Sequence, residues 1–186
     1  MPELADLKFK ILIVGDWGVG KTSLVRNFVE RKFFEDYLPS IGVNLLVKEI
    51  EVDFQGMKVT VTLTIWDLAG HESFRPLMPA YNRGANGVFF VGDLTRIRSF
   101  ENIALWYQDL STNLEEQIPV VFLANKNDLE HYIDENYIAE TAASVGAVAV
   151  YKTSAKTGEN VQAAFEALVL EMLTQYAGQH PDCFSA

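Results

Sequence analysis

Phe9 to Val14, FKILIV, is a nearly unbroken apolar run rich in β-branched residues, the pattern of a strand buried on both faces of a sheet. Glycines follow at once, and after Lys21 the apolar residues Leu24, Val25, Phe28 and Val29 recur at helical spacing, so strand, glycine loop and helix succeed one another. Alternation then takes over. Ile50, Val52 and Phe54 interleave with Glu49, Glu51 and Asp53, and Val59, Val61, Leu63 and Ile65 with Lys58 and threonines; Gln55 and Gly56 between them predict the turn of an antiparallel hairpin. Two further apolar runs, Val88 to Val91 and Pro119 to Leu123, read as parallel central strands separated by a helical stretch from Phe100 to about Glu115. Asp134 to Val145 is predicted as a helix capped by Asp134 and stopped by Gly146, and Ala147 to Tyr151 as a strand. Val161, Ala164, Phe165, Leu168, Val169 and Met172 share one face of the last helix.

These elements predict an α/β fold in three layers: a mostly parallel six-stranded sheet with one antiparallel edge hairpin, and about five helices. In such a sheet a ligand lies at the carboxyl ends of the strands. No internal repeat, low-complexity tract or linker interrupts the pattern, so residues 1–176 are expected to form one domain, followed by a short flexible tail at 177–186.

Length and composition narrow the function. With 186 residues, 49% of them apolar, the chain can build one well-packed core. Fifteen Lys plus Arg against 25 Asp plus Glu give a formal net charge of -10, which opposes loose binding to nucleic acid or anionic lipid. A polyanion could still be held where positive charge and backbone donors converge in one pocket. The single cysteine, Cys183, excludes an internal disulfide and a cysteine-built zinc site and points to a reducing compartment. No apolar run approaches the roughly 18 residues of a membrane span, and Met1 to Asp6 is too polar for a signal peptide. The expected location is cytoplasmic.

Four strings carry chemistry. Gly15-Asp16-Trp17-Gly18-Val19-Gly20-Lys21-Thr22 fits GxxxxGK[ST] between a buried strand and a helix. Backbone N–H groups from Gly15 through Ser23 would wrap phosphates, Lys21 would reach the β and γ phosphates, and Thr22 would ligate Mg²⁺. Asp67-Leu68-Ala69-Gly70 ends the second hairpin strand, where Asp67 would bind Mg²⁺ through water and the Gly70 N–H would sense a γ phosphate. Asn125-Lys126-Asn127-Asp128 fits NKxD: Asp128 can accept two hydrogen bonds from guanine N1–H and its 2-amino group, Lys126 can lay its stem along the base, and Asn125 can tie this loop to the phosphate loop. A site built around such a donor pair rejects adenine by roughly 10⁴. Ser154-Ala155-Lys156 would supply a third wall through backbone N–H.

In this order on these elements, the strings resemble the Ras superfamily of P-loop NTPases over about Phe9 to Tyr176, and the Rab branch in particular. Ser40-Ile41-Gly42-Val43 resembles the first Rab switch, Ile65-Trp66-Asp67-Leu68-Ala69-Gly70 the entry to the second, and Tyr81-Asn82-Arg83-Gly84-Ala85 its exit. The resemblance implies a GTPase that holds GTP or GDP with Mg²⁺ and signals to effectors through Ile41 to Leu46 and Trp66 to Tyr81, with exchange factors and activating proteins as partners. It implies further that Phe33 packs against the guanine, Tyr37 closes over the phosphates and Ser40 gives Mg²⁺ a second hydroxyl.

Three features depart from that pattern. His71 stands where the family usually has the glutamine that orients the attacking water, so hydrolysis should be slow; alternatively backbone alone holds the water. Trp17 replaces a small residue in the phosphate loop and either crowds the approach of an activating protein's arginine or lies flat on the surface. These two residues keep open a rival, a constitutively nucleotide-bound scaffold without useful hydrolysis. Cys183-Phe184-Ser185-Ala186 is a poor prenylation box without nearby Lys or Arg, so any membrane association is expected to be peripheral and weak if Cys183 carries no lipid.

Overall fold

A computed structural model describes residues 7–31, 42–112, 114 and 117–184. Strands β1 (Leu7–Val14), β2 (Val43–Phe54), β3 (Met57–Leu68), β4 (Gly87–Asp93), β5 (Val120–Asn125) and β6 (Ala149–Thr153) form one sheet in the order β2-β3-β1-β4-β5-β6. Only β2 and β3 run antiparallel; the remaining pairs are parallel. The hairpin turn falls at Gln55 and Gly56, both at positive φ (51° and 79°), the combination that matches the twist of the flanking strands.

Alternation in the central strands sorts side chains onto two faces. Phe9, Ile11 and Ile13 of β1 join Phe89, Val91, Val121 and Leu123 in one core, covered by α1 (Lys21–Glu30) and α6 (Val161–Gln179). Phe165 of α6 stacks on Phe28 of α1 at 3.9 Å between ring centroids and lies 4.6 Å from Phe89, which seals this core. Leu12 and Val14 point the other way with Val88, Phe90 and Phe122, under α2 (Met78–Asn82), α3 (Ile97–Glu101), α4 (Ile103–Ser111) and α5 (Glu135–Ser144). With α3 and α4 taken as one segment broken at Asn102, the described residues hold the expected five helical segments. Asp134 caps α5 by accepting from the Tyr137 N–H.

The hairpin reaches further than its alternation suggested. Its strands are 12 residues each and end at Val43 and Leu68, so Val43, the last residue of the expected first switch string, begins β2, while Ser40 and Ile41 lie outside the described residues. The last helix passes Tyr176, the expected domain end, and continues to Gln179. Beyond it Pro181–Cys183 form a 3-10 turn, and the Phe184 ring packs edge-on to Phe54 at 5.3 Å. Ala177 and Phe184 are partly buried against the core, while Gly178 to Pro181 and Cys183 are exposed.

Candidate functional site

The carboxyl ends of β1, β3, β4, β5 and β6 lie on one edge of the sheet, and the loops that leave them meet there. Residues 15–20 turn from β1 into α1. Lys21, on the first turn of α1, is buried, and its ammonium donates at 2.7 Å to both the Gly15 and Asp16 carbonyls. Burial lowers the Lys21 pKa to about 8, with the charges of Asp67 and Asp16 pulling the other way. A buried ammonium that donates to two neutral carbonyls is poised to gain from a phosphate. Thr22 and Ser23 follow half-buried on the same turn, and the Val19 side chain sits in the core.

From the end of β3, fully buried Asp67 faces α1. Its Oδ2 accepts from the Thr22 hydroxyl at 2.6 Å and from Asn44 Nδ2 at 3.2 Å, while Oδ1 has no partner among the described residues. Burial raises the pKa of this carboxyl against those hydrogen bonds. A hydroxyl beside a carboxylate with one unsatisfied buried oxygen suits a divalent cation of the magnesium type, which takes few protein ligands and completes its shell with water and substrate phosphate. Among the described residues no cluster of three or more His, Cys, Asp or Glu could form a cage of protein ligands alone.

Gly70 brings the β3 loop onto the phosphate loop. A Cβ there would lie 2.3 Å from the Asp16 carbonyl carbon and 2.4 Å from both the Gly15 oxygen and Lys21 Nζ, so no other residue permits this approach. His71 follows exposed, its Nδ1 3.2 Å from the Ser73 hydroxyl, at the start of a 3-10 turn over Glu72–Leu77. Arg75 in that turn pairs with Asp109 of α4.

The second half of the site hangs on Asn125 at the end of β5. Its buried amide donates to the Val19 carbonyl at 2.8 Å and accepts from the Thr153 hydroxyl at 3.1 Å and the Ala155 N–H at 3.2 Å, joining three loops. At Gly20 a Cβ would come within 2.3 Å of Asn125 Nδ2. Lys126, at φ 70°, turns the chain outward and pairs with Asp93 at 2.6 Å; exposed Asp128 accepts from Ser154 Oγ at 2.6 Å. In the Ser154-Ala155-Lys156 segment the Ala155 N–H donates to Asn125, and Lys156 is exposed beside it. Phe33, Tyr37, Ser40 and Ile41 lie outside the described residues.

A model of the Ras family matches residues 10–174. The Ras-related protein RABG3c of Arabidopsis thaliana is 40% identical over 172 residues, which cover 88% of this chain and 82% of that protein. This chain belongs to the Ras superfamily, in its Rab branch. The Ypt/Rab-type GTPase YPT7 of Saccharomyces cerevisiae is 40% identical over 173 residues (89% and 82% of the two chains), and Ras-related protein Rab-13 of Rattus norvegicus is 35% identical over 180 (96% and 87%). Proteins of this family are GTPases, and the chain is one of them.

Within this Rab-branch fold, several residues take part that the motifs did not single out. Asp16 of the phosphate loop accepts from Asn102 Nδ2 and Trp106 Nε1, both at 2.8 Å, which fastens the loop to α4. Asp93, at the end of β4, accepts from Thr95, Arg96 and Lys126. Their partners lie up to 90 residues away, so no local spacing announces them. Trp17 is 58% exposed, with the Arg96 guanidinium 5.6 Å above its ring. Beside the site, Leu45 and Val47 of β2 expose apolar side chains next to Trp66, which packs on Tyr81 at 6.0 Å and under the Lys10 ammonium.

Proposed function

We propose that this protein is a slowly hydrolysing guanine-nucleotide switch of the Rab type. The observation that carries the reading is the convergence of the buried Lys21 ammonium, the Thr22–Asp67 pair with its unpartnered oxygen, and the Asn125 to Asp128 loop on one edge of the sheet. Backbone N–H groups of Gly15 to Thr22 cradle the phosphates, and Lys21 neutralises charge on the β and γ groups. Thr22 and Asp67, with Ser40 of the first switch, hold Mg²⁺, whose charge offsets that of the phosphates when it is bound. Asp128 and Lys126 read guanine, Asn125 holds them to the phosphate loop, and Ser154 to Lys156 with Phe33 complete the base pocket. Gly70 and Tyr37 respond to the γ phosphate.

Hydrolysis adds water to the γ phosphorus as the bond to the bridging oxygen breaks, and the water's proton leaves on the released phosphate. His71 orients that water. An imidazole lacks the adjacent donor and acceptor of a glutamine amide, so the step is slow. Single-turnover hydrolysis should rise about tenfold in His71→Gln. No gain would overturn the timer and favour a second reading, a scaffold that holds nucleotide constitutively; the engagement of His71 with Ser73 is the observation on its side. Protein purified without added nucleotide should carry GDP or GTP, and bound ATP would overturn guanine recognition.

Effectors, exchange factors and activating proteins would meet the surface of Leu45, Val47, Trp66 and Tyr81, which changes with the nucleotide. Among the described residues no helix is long and apolar enough to cross a membrane. The reading assigns the protein to the cytoplasm, with weak peripheral attachment at most through Cys183. That thiol is exposed, but its neighbour Phe184 is packed on Phe54 and Tyr176, so a modifying enzyme would have to peel the segment away.

A further inference from the structure

Arg96 is not part of any nucleotide motif, yet it contacts the phosphate loop directly and reaches the base-reading loop through Asp93. Its Nη2 donates to the Trp17 carbonyl at 2.9 Å, in the phosphate loop, and its guanidinium lies over the Trp17 ring. Its Nε donates at 2.8 Å to Asp93 Oδ2, the same oxygen that Lys126 reaches at 2.6 Å from the base-reading loop. Asp93 is fully buried and sits between the two cations. Asn125 fastens the inner side of the phosphate loop at Val19; Arg96 fastens the outer side, closing a second path from base to phosphates.

We propose that Arg96 is a positioning residue that locks the phosphate loop to the base-reading loop and thereby slows nucleotide release. A guanidinium suits the task because its planar fork makes two directed hydrogen bonds while its face stacks on an indole; an ammonium can reach one partner or the other. Trp17 serves as the flat platform that holds the fork in place, which gives a use to a bulky residue where a small one is usual. The proposal rests on the reading that residues 15–22 and 125–128 hold a guanine nucleotide.

The test is the release of GDP carrying a methylanthraniloyl fluorophore on the ribose, from the full chain with Mg²⁺, for wild type, Arg96→Met and Arg96→Lys. Release should quicken about tenfold in Arg96→Met, the loss expected for one charge-assisted hydrogen bond at partial exposure. It should take an intermediate value in Arg96→Lys. Equal release from Arg96→Lys and wild type would mean that charge alone matters and would overturn the lock. A second arm repeats the measurement with inosine diphosphate, which lacks the 2-amino group. If Arg96 couples the loops, the penalty for losing that group should be at least about threefold smaller in Arg96→Met than in wild type, the non-additivity of coupled sites. Equal penalties would reduce Arg96 to a local brace and overturn the coupling. Acrylamide quenching of tryptophan fluorescence, assigned with Trp17→Phe, should increase in Arg96→Met as the ring is freed; unchanged quenching would count against the stack. Wild type that fails to bind the labelled GDP would defeat the nucleotide reading itself, whereas binding with unaltered release in both variants would defeat the lock alone.

Discussion

Replacing Asn125 is the sharpest probe of how the two halves of the site are held together. The side chain is buried and makes three hydrogen bonds, to the Val19 carbonyl, the Thr153 hydroxyl and the Ala155 N–H. Asn125→Ala removes all three and leaves the Val19 oxygen and the Ala155 N–H inside the protein without partners. At about 1 kcal/mol for each net bond the loss is about 3 kcal/mol. For a domain of this size that corresponds to a fall in Tm of roughly 6 to 12 °C. Asn125→Asp separates the contributions. It keeps the shape and the acceptor for Thr153 and Ala155, but at neutral pH it turns a second oxygen toward the Val19 carbonyl where the amide donated. It should therefore lose most of what the alanine variant loses, although it fills the same volume. Thermal unfolding at a fixed excess of GDP and Mg²⁺ measures both variants on one scale, because bound ligand stabilises by mass action. Release of labelled GDP should quicken in both. An aspartate variant with the wild-type Tm would show that the bond to Val19 contributes nothing, and the account of Asn125 as a tie between loops would fall.

Two further expectations follow from the same geometry. Asp93→Asn removes the buried carboxylate shared by Arg96 and Lys126 and should cost about 2 kcal/mol at pH 7. Burial pushes the Asp93 carboxyl up, but hydrogen bonds from Lys126 and Thr95 outweigh it and hold it below its ordinary value of 3.8. A carboxyl depressed on folding adds stability that is fully present above its unfolded value and fades as pH falls through the folded one. The gap between wild type and Asp93→Asn in urea unfolding should accordingly be constant from pH 5 to 7 and narrow below about pH 4; a gap independent of pH would refute the assignment. Gly70→Ala places a methyl group within 2.4 Å of the phosphate-loop backbone and Lys21 Nζ, and should lower stability by about 2 kcal/mol through overpacking. A wild-type melting curve would show that the two loops are not held this close.

The sequence by itself determined the order of the elements and named the motif residues that make up the candidate site. Its periodicities come from burial, and burial on both faces of β1, β4 and β5 leaves nearly unbroken apolar runs that are legible without a structure. Glycines and the polar residues after each strand mark loops because they carry backbone and hydrogen-bond requirements within a few residues. Boundaries were less legible. The helical stretch expected to about Glu115, a residue outside the described ones, has its last described helical residue at Ser111, and the strand expected at Ala147 to Tyr151 pairs over Ala149–Thr153. Pairing with β5 decides that register, and composition cannot express it. The tertiary structure alone brought Asn102 and Trp106 to Asp16, Arg96 to Trp17, and Phe184 onto Phe54. Each of these contacts joins residues far apart in the chain, where geometry follows from the packing of whole elements on a shared sheet. A motif names the groups that can touch a nucleotide; the packing around it decides how firmly those groups are held.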